Sequence, residues 1–107
     1  MSTFNDREKG FEKKFERDQE AIFKVNARRN KLLGAWAAEK LGLAGDEAEV
    51  YAKSVVVADF EKPGDDDVLQ KVVADLSAKG VATSAADVRK QMDMLLAVAR
   101  EQIAKQA

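Results

Sequence analysis

Apolar residues recur at intervals of three and four in four consecutive runs, and Gly42, Gly45, Gly64 and Gly80, with the single proline Pro63, fall between those runs. A period near 3.6 is the signature of helices that bury one face, and Gly and Pro at the joints stop each run where it must turn. Period-two alternation is absent. The one β-branched cluster, Val55-Val56-Val57, lies inside a helical pattern. The expected fold class is therefore all-α, a four-helix bundle-like domain in which connections of two to five residues make neighbours antiparallel.

The first helix is expected from about Phe4 to Leu41. Its later part, with Ile22, Val25, Leu32, Leu33, Trp36, Ala37 and Leu41, carries a wide apolar face suited to packing against other helices. Gly42-Leu43 reads as a left-handed stop with a hydrophobic contact behind it. A second helix begins near Gly45-Asp46-Glu47, turns Ala48, Tyr51, Ala52, Val55 and Ala58 inward, and ends before Pro63-Gly64. Asp65-Asp66-Asp67 opens a third, one carboxylate capping free amides, with Val68, Leu69, Val72, Val73 and Leu76 as its core and Lys79-Gly80 as its end. Ser84-Ala85-Ala86-Asp87 resembles a capping box for a fourth, lined by Val88, Met92, Leu95, Leu96, Ala99 and Ile103.

The 107 residues suit one small core, and 46% apolar with 35% charged content suits a folded chain with a solvated exterior. Total charge is −1, so nothing in the sum favours a polyanion. Its distribution is uneven: residues 1–31 hold nine Lys/Arg against six Asp/Glu, while residues 32–107 hold nine against thirteen. The chain has no Cys and no His, which removes disulfides, thiolate metal sites and the commonest proton shuttle. The start of the chain lacks the apolar stretch of a secretory signal, and no run approaches the roughly 20 apolar residues that cross a bilayer. The expectation is a soluble cytoplasmic protein without membrane insertion.

No catalytic residue is expected. Ser54, Ser77 and Ser84 have no histidine to activate them. The Asp65-Asp66-Asp67 run lacks the alternating ligands and glycine of a calcium loop, so no metal is expected. Gly42-Leu43-Ala44-Gly45 lacks the lysine and hydroxyl of a phosphate loop; no cofactor is expected, and weak adenine nucleotide binding is left open. Arg28-Arg29-Asn30-Lys31 reads as a solvated helix face or a contact for an acidic protein groove rather than a nucleic-acid site, because acids nearby weaken its field. Trp36 reads as a core anchor.

The N-terminal stripe is different. Phe4, Phe11, Phe15 and Ile22 recur at seven, four and seven residues, and the flanks are almost wholly charged, so the seam is thin. An isolated helix of about 15 residues is marginal in water, and Gly10 costs it about 1 kcal/mol relative to Ala. Three readings follow: an arm that becomes helical in a partner's apolar groove, which the residues favour; an N-terminal extension of the bundle; and a self-association seam.

The residues also resemble a family. Phe4-Asn5-Asp6-Arg7-Glu8-Lys9, Ala27-Arg28-Arg29-Asn30-Lys31-Leu32-Leu33-Gly34, Trp36 to Leu43, Ala58-Asp59-Phe60-Glu61 with Pro63-Gly64-Asp65, and Arg89-Lys90-Gln91-Met92-Asp93 are similar to the α-proteobacterial ζ subunit of the F-type ATP synthase. The similarity covers nearly the whole chain in the same order. It implies an inhibitor of ATP hydrolysis whose N-terminal segment enters a catalytic α/β interface of the F1 sector and blocks rotation, with the α, β and γ subunits as partners. It also implies a location at the cytoplasmic face of the inner membrane through the synthase, and a monomer when free. By position, Phe4, Arg7, Phe11, Lys14 and Phe15 fall in the inhibitory segment. Residues 1–18 would then be an arm, disordered when free, and 19–107 the four-helix domain carrying it. Gly10 stands where the family commonly has alanine, and Glu16-Arg17 where Ala-His is frequent. The competing function is a small helical adaptor or nucleotide-responsive binding module whose N-terminus is a loose tail.

Overall fold

Each glycine-marked joint of the sequence ends a helix in the computed structural model, which describes the backbone of residues 2–106 and the side chains of residues 19–106. The helices are α1 (Ser2–Lys40), α2 (Gly45–Glu61), α3 (Asp65–Ala78) and α4 (Ala85–Gln106). No strand occurs among the described residues, and the fold class is all-α with four helices, as expected.

Two of the stops have the same construction. Gly42 takes φ +78°, a conformation that costs a residue with a Cβ, and so lets Leu43 N–H reach back to Ala38 O at 2.9 Å and Gly42 N–H to Glu39 O at 3.1 Å. The pattern repeats at the end of α3, where Val81 N–H donates to Leu76 O at 3.0 Å. At the start of α4 the capping box forms with its shorter acid: Asp87 N–H donates to Ser84 Oγ at 3.1 Å, and Ser84 N–H to Asp87 Oδ2 at 3.5 Å.

The start of α3 departs from expectation. Gly64 occupies the N-cap and no side chain caps the helix, so none of the three aspartates does so. Asp65 instead pairs with Arg29 and Asp66 with Arg89, each at the positive end of the helix dipole, while Asp59 accepts the Gly64 N–H at 3.2 Å. The carboxylates are drawn outward because guanidinium groups on α1 and α4 offer charge-assisted bonds that outweigh a bond to a neutral amide.

α1 is the hub, packing on α2, α4 and α3. Leu33 and Ala37 from α1, Val55 from α2, Val68, Val72 and Leu76 from α3, and Val88 and Met92 from α4 form the sealed centre, with Trp36, Leu41, Tyr51 and Leu95 packed around it. Full burial of each such aliphatic side chain is worth about 1.5–3 kcal/mol. These are largely the inward residues read from spacing. Gly34 had no role in that reading. A Cβ on it would stand 2.5 Å from Ala52 Cα, so the absence of a side chain lets the backbones of α1 and α2 come together.

One expected core position fails. Ile22 is 58% exposed, and the inward face of α1 begins at Val25. Residues 19–24 are exposed, although Phe23 still touches Phe60 of α2.

Candidate functional site

What the described part of the molecule offers is the root of α1, the stretch from Phe23 to Lys31. The basic cluster at this root is not the solvated face the sequence suggested. Arg29 is 2% exposed and Asn30 1%. Burial of these two groups is sustained by a closed set of partners. Arg29 Nε and Nη2 donate to Asn30 Oδ1 at 3.1 and 2.9 Å, Arg29 Nη2 also donates to Asp65 Oδ1 at 2.9 Å, and Asn30 Nδ2 donates to Asp59 Oδ2 at 2.9 Å. Through Asp59 the network reaches the Gly64 amide, so one polar knot joins the middle of α1 to the turn between α2 and α3. No buried side-chain nitrogen or oxygen among the described residues lacks a partner. Such a closed set fixes geometry, since each group left alone would cost about 1–3 kcal/mol.

Arg28 extends the fixing to α4, its Nη1 donating to Gln102 Oε1 at 2.9 Å. Lys31 stays exposed, and together with Lys24 and Arg28 it edges an open groove of about 640 Å3 between α1, α2 and α4, with Val56 of α2 and Ile103 of α4 on its apolar side. Between α2 and α3, Tyr51 donates its hydroxyl to Asp75 Oδ2 at 2.8 Å, and Lys71 pairs with the same oxygen at 3.0 Å. Burial, and then the Asp75 carboxylate, push the Tyr51 hydroxyl well above the usual tyrosine range. Arg89 is held in its charged form chiefly by its hydrogen bond to Asp66.

Beside the polar knot the molecule exposes aromatic surface. Phe23 and Phe60 are 51% and 61% exposed and meet edge to face, with ring centroids 5.2 Å apart and planes at 67°. Pro63, Val56 and Asn30 border the small hollow beneath them. Trp36 is half-buried against the core with the Lys40 ammonium 5.2 Å from its ring centroid, which supports its reading as an anchor. No group of three or more Asp or Glu side chains suited to a metal occurs among the described residues.

A family model described as ATPase inhibitor subunit zeta matches residues 1–102. The chain belongs to that family. The ζ match extends to residue 1, so the N-terminal stripe is part of the family pattern and not an appendage to it. A protein whose structure was solved by NMR in solution is 49% identical, with a TM-score of 0.69 over 79% of this chain and 96% of that one. No curated protein matches the chain. ATPase inhibition is the role that the ζ family carries, and the resemblance read from the residues is to that same family. Among the described residues no helix is long and apolar enough to cross a membrane.

Phe4, Arg7, Phe11, Lys14 and Phe15, the residues expected to touch the partner, all belong by position to α1. Their side chains lie outside the described residues, as does the expectation of a mobile arm over 1–18. Sequence reasoning missed the polar knot and the exposed Phe23–Phe60 pair. A signal for the knot existed: Asp59 and Asp65 bracket Pro63-Gly64, and an Arg-Asn pair inside an otherwise apolar helix face calls for acidic partners.

Proposed function

We propose that the chain inhibits ATP hydrolysis by the F1 sector of an ATP synthase, its N-terminal segment entering a catalytic α/β interface as a helix and blocking rotation. Phe4, Phe11 and Phe15 anchor the segment in the cleft, and Arg7 and Lys14 set its orientation through acidic groups of the α, β and γ subunits. The cleft, and not the chain's own bundle, supports this thin-seamed helix. The bundle from residue 19 onward is its carrier, and the inhibitor brings no catalytic residue or cofactor of its own. It acts at the cytoplasmic face of the inner membrane, where the synthase holds it.

The observation that carries this reading is the family match beginning at residue 1. The fixing of α1 by Arg28, Arg29 and Asn30 supports it physically, since a wedge resists a turning rotor only if its base is held. Purified F1 assayed with the intact chain and with a chain lacking Asn5 to Asp18 provides the test. Inhibition by the intact chain alone is expected; equal activity with both chains would leave the reading without support and favour the adaptor.

A further inference from the structure

α2 is apolar on more of its circumference than its neighbours use. Ala52 and Val55 face inward, yet Val50, Val57 and Phe60 are 68%, 45% and 61% exposed. At 100° per residue these three and half-buried Val56 fall within an arc of about 120°. From Val50 onward, Lys53 is the only charged residue in that arc. The arc runs to the edge of α1, where Phe60 stacks on Phe23. Helices with apolar residues on both faces are normally covered on both, and an exposed contiguous apolar strip marks a binding surface more often than chance scatter.

We propose that this strip, Val50–Val57–Phe60 on α2 joined to Phe23 on α1, is a second docking surface for the same ATPase that receives the N-terminal segment. The proposal rests on the inhibitor reading. Continuity identifies the occupant: Ile22 follows Phe15 by seven residues, about 10 Å along a helix, so a protein holding the segment as a helix has its rim against Phe23 and Phe60. Association driven by the segment alone must overcome the cost of ordering it, whereas the strip belongs to a bundle already folded. The strip therefore binds first and holds the segment at high effective concentration beside its cleft.

The test uses full chains and measures binding to immobilised F1 separately from inhibition of ATP hydrolysis. Phe60→Ser, with Val57→Ser as a second variant, is expected to weaken binding about tenfold and to raise the half-inhibitory concentration equally, while each chain stays folded with a melting temperature lowered by a few degrees at most, since Phe60 is 61% and Val57 45% exposed. Phe60→Leu is expected to recover most of the binding. The Phe11→Ala, Phe15→Ala chain is expected to lose inhibition while still binding F1 through the strip. Wild-type binding by Phe60→Ser and Val57→Ser would overturn the docking surface and leave the inhibitor reading intact. Wild-type inhibition by the Phe11→Ala, Phe15→Ala chain would instead overturn the inhibitor reading. A concentration-dependent dimer of the free chain that Phe60→Ser dissociates would assign the strip to a second copy and refute the proposal.

Discussion

The carboxamide of Asn30 donates to the carboxylate of Asp59 at 2.9 Å, and through that bond the first helix is tied to the turn joining α2 to α3. Asn30 is the centre of the knot, since its oxygen also accepts two bonds from Arg29. Asp65, at the knot's edge, has a side chain 58% exposed.

That placement predicts unequal costs. Asn30→Ala leaves a buried guanidinium without the one oxygen that accepts two of its hydrogen bonds and is expected to cost about 3 kcal/mol. Asp65→Ala removes a bond on the wet side of the knot and is expected to cost about 1 kcal/mol. Urea unfolding of the two variants reads the difference, and a larger loss for Asp65→Ala would contradict the arrangement.

Gly34→Ala places a methyl group against the Ala52 backbone, where neither side can yield by rotating a side chain. At 2.5 Å from a backbone atom the overpacking lies at the upper end of its usual range, about 3 kcal/mol, which outweighs the gain of about 1 kcal/mol in helix propensity. The melting temperature is expected to fall by about 4 °C or more. A rise would mean that α1 and α2 are not in close contact at this position.

Tyr51 is the only tyrosine, so its ionisation can be followed directly. Its proton is held more tightly in the folded chain than in the unfolded one, so the stability it confers is complete below about pH 10, the ordinary tyrosine value, and declines as pH rises beyond it. Phenolate absorbance is expected to stay low in the folded protein at about pH 10 and to appear on adding denaturant at the same pH. Tyr51→Phe should cost about 1 kcal/mol near neutrality and flatten the alkaline decline. An ordinary titration in the folded protein would contradict the Asp75 contact.

Much of this fold was legible because helix stops and apolar spacing are local properties. Gly42-Leu43, Lys79-Gly80 and the Ser84–Asp87 box each declare themselves within a few residues, and the structure bears out all three. What was not legible depends on pairs distant in sequence. Asp65 could be a cap or an ion-pair partner, and only the approach of Arg29, 36 residues away, decides between them. Ile22 continues the apolar spacing of α1 yet is 58% exposed, and spacing alone does not show where along α1 the burial begins. Gly34 likewise needed Ala52 opposite before its meaning was visible.

Whether the aromatic N-terminal segment is the wedge is tested most directly by titrating purified F1 with the intact chain and with the Phe11→Ala, Phe15→Ala chain while recording the melting temperature of each. If the two rings act in the partner's cleft, the half-inhibitory concentration rises at least about tenfold, a loss of about 1.4 kcal/mol or more, and melting does not change. Undiminished inhibition by the altered chain, or a fall in its melting temperature comparable to that of a core substitution, would contradict the wedge and place the rings in the bundle's own packing.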